Sequence, residues 1–195
     1  MGMRTWALVV VIGASAACTG APAADPAADA AALARAQLAA REFGAGLRGR
    51  LVAEMGRGGP IAALTVCADE AQAITAQAGE SRGVRVGRSS LRLRNPVNSA
   101  PPWVDEWLRA QGERPAEGVV GLTAVVDGPD GRVARVIKPV AIEAPCLVCH
   151  GAPESIAPAL LAVLRERYPD DRANGYAVGE LRGALWAEAP VRASR

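Results

Sequence analysis

The chain has 195 residues, half of them apolar, which is enough for one ordinary domain once any targeting segment is removed. Its 22 Lys and Arg against 20 Asp and Glu leave a formal charge of +2, and the two signs are interspersed. With no long basic run to follow a phosphate backbone, nucleic acid is excluded as a partner class. Aromatic residues are scarce, with four Trp, two Tyr and one Phe, so a core made by protein alone must use small side chains. A large flat cofactor would supply the missing apolar volume.

The N-terminus has the form of a secretory signal over residues 1–17: Arg4 is followed by an apolar run from Trp6 to Ala17 that ends in small residues. That run is too short to span a bilayer, which takes about 20 residues. Two cleavage readings stand. Ser15-Ala16-Ala17-Cys18 is like a lipoprotein processing site, which makes Cys18 a lipidation candidate and the membrane a partner through that anchor; Ala21-Pro22-Ala23 offers an ordinary signal-peptidase site. Both place the protein in the periplasm or cell envelope. Residues 18–30 read as a flexible tether and 31–195 as a single domain.

From Ala30 to Met55 strong helix formers carry the apolar series Leu33, Ala36, Ala40, Phe43, Leu47, Leu51 and Met55, which predicts a long amphipathic helix ended by Gly56 to Gly59. Pro60 suits the first turn of a second helix with Ile61, Leu64, Cys67, Ala68, Ala71, Ile74 and Ala78 on one side and Gly79 as its stop. From Gly83 the period becomes two. Val84 and Val86 share one parity and Leu91 and Leu93 the other, so a strand with a bulge near Gly87 to Ser90 is expected. Trp103 to Gln111 reads as a short helix whose Trp103 and Trp107, one turn apart, should pack together. Val119 to Val126 and Val133 to Ile142 flank Asp127-Gly128-Pro129-Asp130-Gly131 and predict a hairpin. Ile156 to Arg167 is a further helix stopped by Pro169, and Leu185 to Val191 a final strand. Helices at the front and an antiparallel sheet behind them make an α+β domain.

Cys146-Leu-Val-Cys149-His150 carries the chemistry. Two thiols at this spacing can add to the two vinyl groups of one haem, and the adjacent imidazole falls beneath the iron as proximal ligand. The competing readings are a thioredoxin-like dithiol, half a zinc site and a local disulfide. Zinc would need two more ligands, yet the sequence has no second His and Cys67 is the one thiol left in the mature domain. A redox dithiol belongs near the start of a βαβ unit, whereas this motif follows a hairpin.

His150 is the only histidine, so bis-histidine ligation from within the chain is impossible. Met1 and Met3 leave with the signal, and the remaining donors for the opposite face of the iron are Cys67, Met55 and, remotely, Lys138. Cys67 is favoured over Met55 because Ala63 and Ala71, one turn to either side, offer a flat face that a porphyrin can approach, while Met55 adjoins a Gly-rich helix end. A buried cysteine acting only as a small hydrophobe is the alternative. Thiolate ligation implies a low reduction potential, and reduction is expected to weaken or protonate the bond, opening the iron to a diatomic gas. The haem propionates need cationic partners, for which Arg85, Arg88, Arg92 and Arg94 are the candidates.

Several segments together resemble the Tll-type c-haem domain family, long a domain of unknown function: Thr65 to Ala71 around Cys67, Arg88 to Asn98, Trp103 with Glu106, the haem motif, Tyr168 to Tyr176, Gly179 and Arg182-Gly183-Ala184. The resemblance covers about residues 47–191. It departs from the expected pattern at Val86-Gly87-Arg88-Ser89-Ser90 and at Ala100-Pro101-Pro102, neither of which includes a candidate iron ligand. It implies a PAS-like antiparallel β-sheet with long N-terminal helices, one covalently bound haem c, and axial ligation by His150 and Cys67. The role it implies is redox sensing or signalling, through a redox or signalling partner protein that the sequence leaves unnamed. A low-potential periplasmic electron carrier is the alternative. A haem enzyme is disfavoured, because no second histidine is present for acid–base work beside the iron.

Overall fold

The computed structural model describes residues 25–112 and 114–192; the signal segment and Cys18 lie outside them. The first helix, α1 (Pro26–Thr65), starts earlier than its apolar series suggests. Asp25 caps it, accepting from the Ala27 and Ala28 amides, and Pro26 supplies a preset first turn. Ala28 is already buried and Asp29 pairs with Arg132 at 2.7 Å, so the last five residues of the expected tether are helical and anchored to the domain through these two. The expected break is present as a single residue: Gly59, at φ 73°, interrupts α1, and Pro60 restarts it. Only glycine takes that conformation without strain.

The second helical stretch is not uniform. A five-residue π-turn, Val66–Glu70, separates α1 from α2 (Ala71–Glu80), and Cys67 lies on it. The sheet follows: β1 (Arg85–Ser89), β2 (Leu122–Gly128), β3 (Gly131–Ala141) and β4 (Leu181–Pro190), all antiparallel, in the order β1-β4-β3-β2. The hairpin turns tightly, with Gly128 opposite Gly131. The expected continuation of β1 through Leu91 and Leu93 is absent. The Ser90 hydroxyl accepts from the Arg92 amide and donates to the Arg92 carbonyl, folding the chain into a local turn that competes with strand pairing. Three more helices complete the domain: α3 (Pro102–Gln111), α4 (Leu147–His150) and α5 (Pro158–Arg167).

Alternation along the strands sorts the core onto two faces of the sheet. On one, Ala32, Ala36, Ala39, Ala40 and Phe43 of α1 pack against Val84, Val86, Ala134, Val136, Ala187 and Ala189. The alanines let the helix approach closely, as the composition required; a Cβ on Gly44 would come within 2.6 Å of Leu185 Cδ1. On the other face Val104 and Leu108 of α3 meet Ile137, Ala184 and Trp186. There the ring partner of Trp103 is Trp186, edge to face at 6.1 Å, rather than Trp107; both α3 indoles pack into the same cluster. This is the α+β, antiparallel architecture with long N-terminal helices expected from the sequence.

Candidate haem site

The Cys146-to-His150 motif forms a 3₁₀ turn (Ala144–Cys146) running directly into α4. Its start is fixed from two sides. The Cys146 amide donates to the Glu143 carbonyl at 2.9 Å, and the Glu143 carboxylate receives both guanidinium nitrogens of Arg48 on α1, at 3.0 and 2.7 Å. Cys149 packs against the cluster of Leu64, Leu160 and Tyr168 and Cys146 against that of Ile142, Ala173 and Tyr176; both thiols are free.

His150 is held in one orientation by the segment 173–176. The Tyr176 amide donates to the His150 carbonyl at 2.9 Å, and the Gly175 amide to the Gly151 carbonyl at 2.8 Å, a pairing that Gly175 permits by adopting φ 68°. The imidazole Nδ1 lies 2.6 Å from the Ala173 carbonyl. A carbonyl can only accept, so Nδ1 carries the proton and Nε2 is left with a free lone pair. Burial, reinforced by the charges of Arg94, Arg182 and Arg88 and opposed by the Ala173 hydrogen bond, pushes the imidazole pKa down to about 3. The residue is thus a neutral, oriented nitrogen donor across the physiological range.

Cys67 reaches the same region from the other end of the fold. With Ala68 and Cys149 it packs against Leu64, Ile156, Leu160, Leu164 and Tyr168, so the π-turn and the haem motif share one apolar cluster. Burial pushes the Cys67 thiol up, while the guanidiniums of Arg88, Arg94 and Arg182 pull it down. Burial likewise raises Cys149, with Arg94 opposing. Met55 is not part of that cluster, and Lys138 is exposed on β3. Among the described residues no group of three or more His, Cys, Asp or Glu side chains is arranged to hold a bare metal ion.

The four arginines expected near a haem are used differently. Arg85 stands at the far end of β1, bonded to Glu188 at 2.9 Å, outside the cluster around Cys67 and His150. Arg94, 9% exposed, donates to Asp171 at 2.9 Å and to the carbonyls of Cys149 and Ala173, clamping the haem motif to the 171–173 loop. Arg92 stacks on the Tyr176 ring at 3.9 Å and donates to the Arg172 and Asn174 carbonyls. Arg88 has no hydrogen bond or ion pair among the described residues; burial lowers its pKa, opposed by Cys67 and then Tyr168.

Two contributors were not singled out by sequence reasoning. Arg182 approaches the Tyr176 ring from 5.3 Å and donates to the Arg92 carbonyl at 3.1 Å; burial lowers its pKa. Tyr176 in turn meets the His150 ring edge to face at 6.3 Å. Beside them a cavity of about 90 Å³ is lined by Arg92, Arg114, Arg182, Tyr176 and Glu180. Both residues lie in segments that carry the family resemblance, yet local spacing gives neither a role.

Comparison with known proteins agrees with this architecture. The crystal structure described as the cyanobacterial heme-protein Tll0287 matches with a TM-score of 0.58 and 19% identity, over 88% of this chain and 99% of that one. No curated protein matches. The family model described as Tll0287-like matches residues 22–190, nearly the whole chain, and the protein belongs to that family.

Proposed function

We propose that the protein is an exported, one-haem c-type protein that acts as a redox or diatomic-gas sensor, with Cys146 and Cys149 as the attachment thiols and His150 and Cys67 as axial ligands. The observation that carries this reading is that Cys149, beside the tautomer-locked imidazole of His150, shares one apolar cluster with a thiol presented on a π-turn, and that the charges of Arg88, Arg94 and Arg182 act on both His150 and Cys67. The donor set fits: two free thiols, a nitrogen lone pair and a soft sulfur beside three guanidiniums that favour its anionic form. A matching family whose crystallised relative is described as a heme-protein is consistent with it.

When bound, the haem supplies an iron that changes oxidation state and takes small ligands. The chain's own residues set the terms. His150 is kept neutral and aimed by Ala173. Cys67 must release its proton to solvent to bind; burial opposes that loss and Arg88, Arg94 and Arg182 favour it, so the thiolate depends on a cation facing it. Once protonated, the side chain rests against Leu64, Leu160, Leu164 and Tyr168. The propionates would be held by Arg88, which has no hydrogen bond or ion pair among the described residues, and by Arg92 and Arg182 at the adjoining cavity.

Electron paramagnetic resonance of the ferric protein tests the ligand set. A thiolate-type low-spin signal is expected, lost in Cys67→Ser and kept in Met55→Ala; survival of the signal in Cys67→Ser refutes the assignment. Carbon monoxide titration of the reduced protein separates a sensor, which binds the gas, from a low-potential carrier, which keeps both ligands and does not.

A further inference from the structure

The turn that carries Cys67 is closed by the Ala71 amide on the Val66 carbonyl, five residues back. In an α-helix that amide would bond Cys67 instead, so the turn holds one extra residue, and side chains on it are rotated by about 100° against the α-helical register. Nothing local demands this: Val66, Cys67, Ala68, Asp69 and Glu70 are residues that ordinary helices tolerate.

The turn is gripped from outside by its two carboxylates. Glu70 receives Nε of Arg50 at 2.7 Å and Nη2 at 2.9 Å, a two-bond fork from the far side of the Gly59 break. Asp69 receives the Arg167 guanidinium from the last turn of α5. Arg50 also binds Glu54, which is shared with Arg57 at 2.7 Å, so the fork belongs to a network rather than to an isolated pair. Two helices thus hold adjacent residues of the turn, two and three positions after Cys67. Forked guanidinium–carboxylate pairs fix direction as well as distance.

We propose that Arg50 and Arg167 are positioning residues for Cys67. By holding Glu70 and Asp69 they keep the turn in the π register that directs the thiol to the face of the haem opposite His150. The inference rests on the reading of Cys67 as an iron ligand.

The test is a titration of the ferric holoprotein with imidazole, which competes with Cys67 for the iron. Exposed pairs of this kind each bias an equilibrium by up to about fivefold, so the Arg50→Ala/Arg167→Ala double variant should bind imidazole about three- to twentyfold more tightly than the parent. Arg50→Lys should fall between, since an ammonium cannot form the fork. Exchanging the charges, Arg50→Glu with Glu70→Arg, should restore only part of the parent affinity, because a carboxylate at position 50 would face Glu54. Arg82→Ala is the control: it removes a comparable fork, Arg82 on Glu42 at 2.7 and 2.8 Å, that does not touch the turn, and should leave imidazole binding unchanged. Equal affinity in the double variant and the parent, or an equal rise in Arg82→Ala, overturns the proposal. A parent protein without the thiolate-type signal overturns instead the ligand reading beneath it.

Discussion

Arg94 shows how the fold assigns a role that a residue type alone leaves open. Its guanidinium joins Asp171, the Cys149 carbonyl and the Ala173 carbonyl, and Ala173 is the group that orients His150. Removing one partner of a buried pair leaves the other charge uncompensated, at about 3–5 kcal/mol. Arg94→Ala should therefore lower the unfolding free energy of the holoprotein by that order, measured by urea denaturation, and Arg94→Lys should recover only a fraction, lacking the planar fork. The proposed haem motif could be put forward from the sequence alone because its chemistry is contained in five adjacent residues. The uniqueness of His150 left Cys67, Met55 and Lys138 for the opposite face, and the small neighbours Ala63 and Ala71 favoured Cys67 among them. Tyr176 and Arg182 carry no such mark: they matter because β4 and the 173–176 segment bring them against Arg92 and His150, a juxtaposition between residues far apart in the chain.

Among the elements, α1 was the most legible and the π-turn the least. Gly59 and Pro60 announce the break through backbone chemistry that no tertiary contact needs to supply, whereas the extra residue at Val66–Glu70 is held by Arg50 and Arg167, which periodicity cannot see. The Leu91-Arg92-Leu93-Arg94 alternation mimics a strand, and the Ser90 hydroxyl decides against it. Two predictions belong here. Phe43 is the chain's one Phe, fully buried where α1 crosses the sheet, and Phe43→Ala should cost about 3–5 kcal/mol in urea denaturation, because a neighbourhood of alanines has little side chain with which to fill the hole. Gly87 lies under Trp186, where an added Cβ would sit 2.3 Å from Cζ2. Gly87→Ala should force that indole aside at a cost of about 1–3 kcal/mol and change the tryptophan fluorescence, Trp186 being one of only four.

Across the whole molecule the apolar residues divide into parts that differ in their relation to the proposed haem. The cluster between α1 and the sheet, and that between α3 and the sheet, are complete without it. The remaining two lie at the cysteines: one joins Leu64 to Ile156, Leu160, Leu164 and Tyr168, with Cys67 and Cys149 at its edge, and the other joins Ile142, Ala173 and Tyr176, with Cys146 and Leu147 at its edge. Both border the proposed attachment thiols, so both should gain most from a large apolar ring. Local stability follows local burial, and regions with few apolar contacts open at lower free energy than the core. Amide hydrogen exchange of Cys146→Ala/Cys149→Ala, prepared without haem, should show protection retained in β1, β3, β4 and the first half of α1, and lost by more than about tenfold over residues 66–70 and 146–176 relative to the holoprotein. Uniform loss over the entire chain would mean that the haem is needed for the fold as a whole. Unchanged protection over 146–176 would mean that the site is already rigid, and then the sensor reading loses its means of transmission, since release of Cys67 could not be felt beyond the iron.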